Sequence, residues 1–183
     1  MSDEDRKRHA EGARMIDTAK FKPKTVYVTY IAATPEKIWE ALTQPEFTRP
    51  FFFGRTIEIE PKVGGSFILR MPDGRVDVKG RVVAWSPPHR LSVTWTVDWI
   101  PEMRDLPECL VSYEIAQAGE AVRLTMTEAH QWDVPDDLLA GGRMGWPVIL
   151  SSLKSLLETG KPLVVKMEPP KEMIAALERL KKK

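Results

Sequence analysis

From Thr56 to Ala129 the chain alternates apolar and polar positions with period two, and helical spacing precedes and follows that stretch. Ile57 and Ile59, then Phe67, Leu69 and Met71, then Val76, Val78, Val82 and Ala84 predict three strands. Leu91, Val93, Trp95 and Val97, then Val111, Tyr113 and Ile115, then Val122, Leu124 and Met126 predict three more. Thr25–Ile31, β-branched and aromatic, predicts another strand ahead of these. Gly64-Gly65, Asp73-Gly74, Pro87-Pro88 and Ala118-Gly119-Glu120 supply short turns, and Trp99–Pro107 reads as a loop. Short links imply antiparallel neighbours, and a sheet of this size coils strongly.

The helical segments flank the strands. Trp146, Ile149, Leu150, Leu153, Leu156 and Leu157 recur at spacings of three, four and seven, a stripe wide enough to cover a sheet. Pro147 suits the first turn of that helix and Gly160 the left-handed position after its last turn. A helix start is expected at Asp136-Asp137, and Gly141-Gly142 with Gly145 are expected to interrupt or bend the chain before the long helix. Thr34-Pro35 opens a short helix that Pro45 ends, and a second helical turn near Glu46–Arg49 leads into Phe51-Phe52-Phe53-Gly54. The predicted division is an N-terminal extension at 1–24, weakly helical over 3–20, a main unit at 25–160, and a C-terminal extension at 161–183. In the last, Pro169-Pro170 opens a helix with Met173, Ile174, Leu177 and Leu180 on one face. The order β, α, α, six β, long α is α+β, with helices segregated to one face of the sheet.

Composition narrows the function classes. The 183 residues are 43% hydrophobic and 29% charged, with a formal net charge of +1. Such a balance creates no long-range field to draw nucleic acid or an anionic membrane, so neither is an expected partner. Cys109 is the single cysteine, which excludes an intrachain disulfide and fits a reducing compartment. No apolar run is long enough to span a membrane and the first residues lack an apolar core, so the expected location is the cytoplasm.

Several segments together resemble the SRPBCC superfamily, and within it the activator-of-Hsp90-ATPase-homologue (AHSA1/CalC-like) branch. They are Val28–Leu42, Val63-Gly-Gly-Ser-Phe, Met71-Pro-Asp-Gly, Pro87-Pro-His-Arg-Leu-Ser-Val-Thr-Trp, Val122-Arg-Leu-Thr-Met-Thr-Glu and Gly145–Glu158. The resemblance covers about residues 25 to 160 and implies the helix-grip fold, a curved seven-stranded antiparallel sheet wrapped around the long helix. It also implies a hydrophobic cavity and, for many members, a small apolar ligand without a cofactor. Relatives commonly carry a His where Glu128 stands, and a Trp after the second short helix where this chain has Phe51-Phe52-Phe53. The tails fall outside the resemblance.

Strand alternation places Phe67, Leu69, Met71, Val93, Trp95, Val111, Tyr113, Leu124, Met126 and Glu128 on the face toward the long helix. Each of them is expected either to pack as core, as most should, or to line a ligand cavity; the candidates for the lining are these residues without Leu124, together with His130, Trp146 and Leu150. Glu128 is the pointed one, because an unpaired carboxylate is costly to bury. It is either paired with a neighbour such as Arg143, exposed at a cavity mouth, or protonated. His130 is a rim partner for it or a plain loop histidine. No metal site is expected, since His9, His89 and His130 lie far apart in sequence and lack cysteine partners. Ser151, Ser152 and Cys109 lack a neighbouring base, and Gly141-Gly142-x-x-Gly145 lacks the strand-then-helix context of a phosphate cradle.

Three functions fit. The first is binding of a small hydrophobic or aromatic molecule between sheet and helix. The second is acid–base catalysis by Glu128 and His130, in the manner of a cyclase or hydrolase. The third is protein interaction, either co-chaperone-like or as a homodimer formed through the 170–182 helix, whose apolar stripe needs covering.

Overall fold

A computed structural model describes residues 16–182. The elements run β1 (Lys22–Ile31), α1 (Pro35–Thr43), α2 (Pro45–Phe51), β2 (Thr56–Ile59), β3 (Ser66–Arg70), β4 (Val76–Ser86), β5 (Arg90–Val97), β6 (Cys109–Ala118), β7 (Ala121–His130), α3 (Asp136–Thr159) and α4 (Lys171–Lys181). Most of the helix expected over 3–20 lies outside the described residues. Within them Thr18–Lys20 forms a single 3₁₀ turn capped by Asp17, and Phe21 packs with Leu110 and Ala129 on the outer face of the sheet.

The seven strands form one antiparallel sheet in the order β1-β7-β6-β5-β4-β3-β2. Six of the seven follow one another in space as in sequence, and β1 closes onto β7, with Ile31 opposite Val122. Period two then does what the alternation predicts. Val122, Leu124 and Met126 of β7 meet Val111, Tyr113 and Ile115 of β6 on the inner, helix-facing side, all buried. Met71 falls just past β3, in the turn that returns to β4. Thr34 caps α1 by accepting the Lys37 N–H at 3.3 Å, and Pro35 occupies its first turn.

One expectation fails at α3. It runs unbroken through Gly141, Gly142, Gly145 and Pro147 rather than starting near Trp146. Pro147 cannot donate to the Arg143 carbonyl one turn earlier, and the Tyr27 hydroxyl donates to that oxygen at 3.4 Å instead. Gly160 ends the helix as expected, in the left-handed conformation at φ +76. Near this end α3 is tied to β1: Lys154 Nζ donates to the Tyr30 carbonyl at 2.6 Å, and the Ala32 N–H donates to Glu158 at 2.8 Å.

α4 folds back onto the first half of α3. Ala176 is fully buried, Arg179 pairs with Asp137 at 2.6 Å, and Lys181 reaches Glu102 at 3.6 Å. Much of the apolar stripe expected to need a second copy is thus covered by the same chain, although Ile174 stays 45% exposed. Among the described residues no helix is long and apolar enough to cross a membrane.

Candidate functional site

The second half of α3 lies directly on the sheet, where Leu150 and Leu153 are buried in the core. Open space lies at the other end of the helix. There the ends of β4–β7, the close of α2, the 99–107 connection, the first half of α3 and α4 enclose a cavity of about 600 Å³. Its inner end is an aromatic cluster: the Trp146 ring lies 5.4 Å from Trp95 and 5.9 Å from Phe52 between centroids. Trp99, Ile100, Met103, Val134 and Leu139 continue the wall, and Met173, Ile174 and Leu177 of α4 roof it.

Of the residues expected to line the cavity, Trp95, Val111, Glu128, His130 and Trp146 do so. Phe67, Leu69, Val93, Tyr113, Met126 and Leu150 are core packing instead, and Met71 lies in its turn. The reason is position along the strands. Residues near the middle of the inner face are covered by the second half of α3, and only strand ends reach past it into the space under α4.

The polar corner is built by β6 and β7. Cys109 stands directly opposite His130, and Glu128 precedes His130 by two, so all three side chains share the inner face. Glu128 is only 9% exposed. His130 Nε2 lies 2.8 Å from its Oε1, and the Trp146 indole N–H donates to its Oε2 at 2.9 Å. Both carboxylate oxygens are therefore engaged, which offsets the cost of burial. Arg143 is not the partner; it pairs with Asp136 at 2.9 Å. Among the described residues His130 Nδ1 is buried with no hydrogen-bonding partner.

Cys109 completes the group. Donor atoms of Cys109, Glu128 and His130 all lie within 4.8 Å of one another. This corrects the expectation that Cys109 lacks a neighbouring base and the histidines lack a cysteine partner: strand register joins residues 21 positions apart. Burial, and after it the Glu128 charge, push the Cys109 thiol well above the usual thiol range, so it stays protonated at neutral pH.

Two of the glycines have a steric role in place of the expected break or bend. A Cβ on Gly142 would stand 3.0 Å from Glu128 Oε2, and one on Gly141 would stand 2.5 Å from the Met173 sulfur. Glycine at these two places lets the carboxylate and α4 approach the α3 backbone. Across the cavity Arg55 and Asp77 form an ion pair, with the guanidinium 5.8 Å from the Phe53 ring centre. Sequence reasoning passed over Cys109, Phe52 and the α4 residues as wall. The three consecutive phenylalanines and the stripe of α4 were the available signals.

The sequence profile described as activator of Hsp90 ATPase homolog 1-like protein matches residues 32–158. Among solved structures the chain is similar to protein MLL2253 from Mesorhizobium loti, at 30% identity and a TM-score of 0.59, over 73% of this chain and 96% of that one. It is also similar to CalU16 from Micromonospora echinospora, at 20% identity and a TM-score of 0.60, over 86% and 83% of the two chains. The Aha1 dimer from Colwellia psychrerythraea aligns at 22% identity and a TM-score of 0.58, over 74% and 96%. At such identities the last two bear on the fold alone. A search of curated proteins gave no match. With the profile running from the end of β1 to the last turn of α3, the chain belongs to the activator of Hsp90 ATPase homolog 1-like family, in the SRPBCC superfamily.

Proposed function

We propose that the chain binds a small, largely apolar molecule with an aromatic or aliphatic body in the cavity under α4, its polar end directed at Glu128 and His130. The observation that carries this is the cavity itself: about 600 Å³, walled by tryptophan, phenylalanine and aliphatic side chains, with the Cys109–Glu128–His130 corner on one side and the Arg55–Asp77 pair across from it. That size falls within the range of small-molecule pockets, and few convergent polar groups in an apolar wall is the usual composition of such sites. Affinity comes from apolar burial at about 25 cal/mol per Å², and the polar corner sets orientation. The test is a thermal-shift screen of uncharged aromatic and aliphatic molecules. The expected result is a melting temperature that climbs with ligand concentration for at least one class. A panel that leaves the midpoint unmoved throughout would overturn the reading.

The Cys109–Glu128–His130 group favours a second reading, acid–base chemistry on the bound molecule. Glu128 and His130 are already hydrogen-bonded to each other at the cavity wall, as such a pair requires. Turnover unchanged by Glu128→Gln would exclude it. Self-association is the partner reading to examine, since a similar protein, the Aha1 of Colwellia psychrerythraea, is described as a dimer. Sedimentation velocity of the full chain reads it directly.

A further inference from the structure

We propose that Cys109, Glu128 and His130 form a binding site for a thiophilic divalent cation of the zinc class, with its fourth position open to the cavity. The donor set is one sulfur, one imidazole nitrogen and one carboxylate oxygen, all within 4.8 Å of one another. Thiolate, imidazole and carboxylate are the three side-chain ligands that zinc takes, and three protein ligands plus an open position is the arrangement of reactive rather than structural zinc sites.

Four features of the surroundings support it. The ligands sit on paired strands, with Cys109 opposite His130 in register, so the backbone holds them rigidly. Trp146 donates to Glu128 Oε2 at 2.9 Å, the kind of outer hydrogen bond that orients a ligating carboxylate, while Oε1, which meets His130 Nε2 at 2.8 Å, is the oxygen that turns to the ion. Among the described residues His130 Nδ1 is buried with no partner, so it can take up the ring proton when Nε2 turns to the ion. All three side chains face the cavity, which gives the ion an entry route and its fourth ligand a place.

Charge points the same way. A thiolate and a carboxylate side by side in a buried corner repel each other, and a divalent cation between them makes the group neutral, which suits a site shielded from water. Ligands of a tetrahedral zinc ion stand roughly 3.3–3.8 Å apart, so the His130–Glu128 pair, now at 2.8 Å, opens slightly while the more widely spaced donors close by about 1 Å at most. On binding, the Cys109 S–H gives its proton to solvent as the sulfur–metal bond forms, the His130 Nε2–Glu128 Oε1 hydrogen bond breaks with its proton passing to Nδ1, and the ion sheds coordinated water. No change of oxidation state is involved. The inference does not rest on the apolar-ligand reading, because the metal alone is the probe.

The experiment is titration of the full chain, reduced and freed of metal by chelation, with Co²⁺ and then with Zn²⁺. Expected are a thiolate-to-cobalt charge-transfer band, visible bands of tetrahedral intensity, one cobalt per chain, displacement by zinc, and a melting temperature raised by zinc. Cys109→Ser should abolish the charge-transfer band, and His130→Ala should weaken binding by about tenfold or more. Glu128→Gln, whose amide oxygen can still accept from Trp146, covers the case in which either of these fails to fold as judged by circular dichroism, and it too should weaken binding. A wild-type chain with no charge-transfer band at several-fold excess cobalt would overturn the proposal. So would a band that persists in folded Cys109→Ser.

Discussion

At the scale of single residues, Glu128 organises the corner. It is a buried carboxylate with two partners, and each bond carries part of the cost of keeping the charge from water. Trp146→Phe keeps the aromatic bulk but removes the donor to Oε2. We expect it to destabilise the protein by about 1–3 kcal/mol in denaturant titrations, the usual cost of a buried acceptor left unpaired. The period-two pattern put Glu128 and His130 on the inner face without any structure, because side-chain direction along a strand is a local property. Cys109 was not legible in that way. Its place beside His130 depends on how β6 pairs with β7, and pairing register is a relation between two segments rather than a property of either.

At the scale of elements, the first half of α3 shows how one run of residues serves two neighbours. The glycine cluster looked like a break, since glycine is a poor helix residue. Two of the three are instead places where a neighbour presses on the backbone. Gly142→Ala is expected to lose stability, because its methyl meets Glu128 Oε2 at 3.0 Å and that carboxylate is held by both partners. Gly145→Ala meets nothing within 4 Å and is expected to gain about 0.5–1 kcal/mol from helix propensity alone. Thermal melts of the two variants side by side distinguish sterics from propensity. For α4 the amphipathic stripe was plain in the sequence, but what covers it was not: a second copy was one candidate, and much of the stripe roofs the cavity of its own chain while Ile174 stays exposed. Ala176→Leu forces bulk into a position with no exposure, between α4 and the body of the protein. It should cost about 1–3 kcal/mol and speed Cys109 alkylation as the roof loosens, read by thiol labelling of the native protein.

At the scale of the molecule, the strand order and the helix-on-sheet arrangement follow from alternation, short turns and one wide helical stripe, and all of these were legible. The location of the cavity was not. The stripe from Trp146 to Leu157 implied space along its length, yet Leu150 and Leu153 close directly on the sheet, and the opening lies where α3 continues toward Asp136 beneath α4. Whether two apolar surfaces meet or stand apart depends on packing between distant segments, here on Gly141, Gly142 and the return of α4. The most direct test of a ligand-holding cavity is therefore spatial. Trp95, Trp99, Trp132 and Trp146 line it, whereas Trp39 and Trp85 stack edge-on elsewhere at 4.9 Å. In a titration with a small aromatic molecule such as naphthalene, followed by the six indole N–H signals in a nitrogen–proton correlation spectrum, saturable shifts are expected at the four cavity tryptophans and little change at Trp39 and Trp85. Shifts confined to Trp39 and Trp85, or no saturable shift at Trp95 and Trp146, would contradict a ligand-holding cavity.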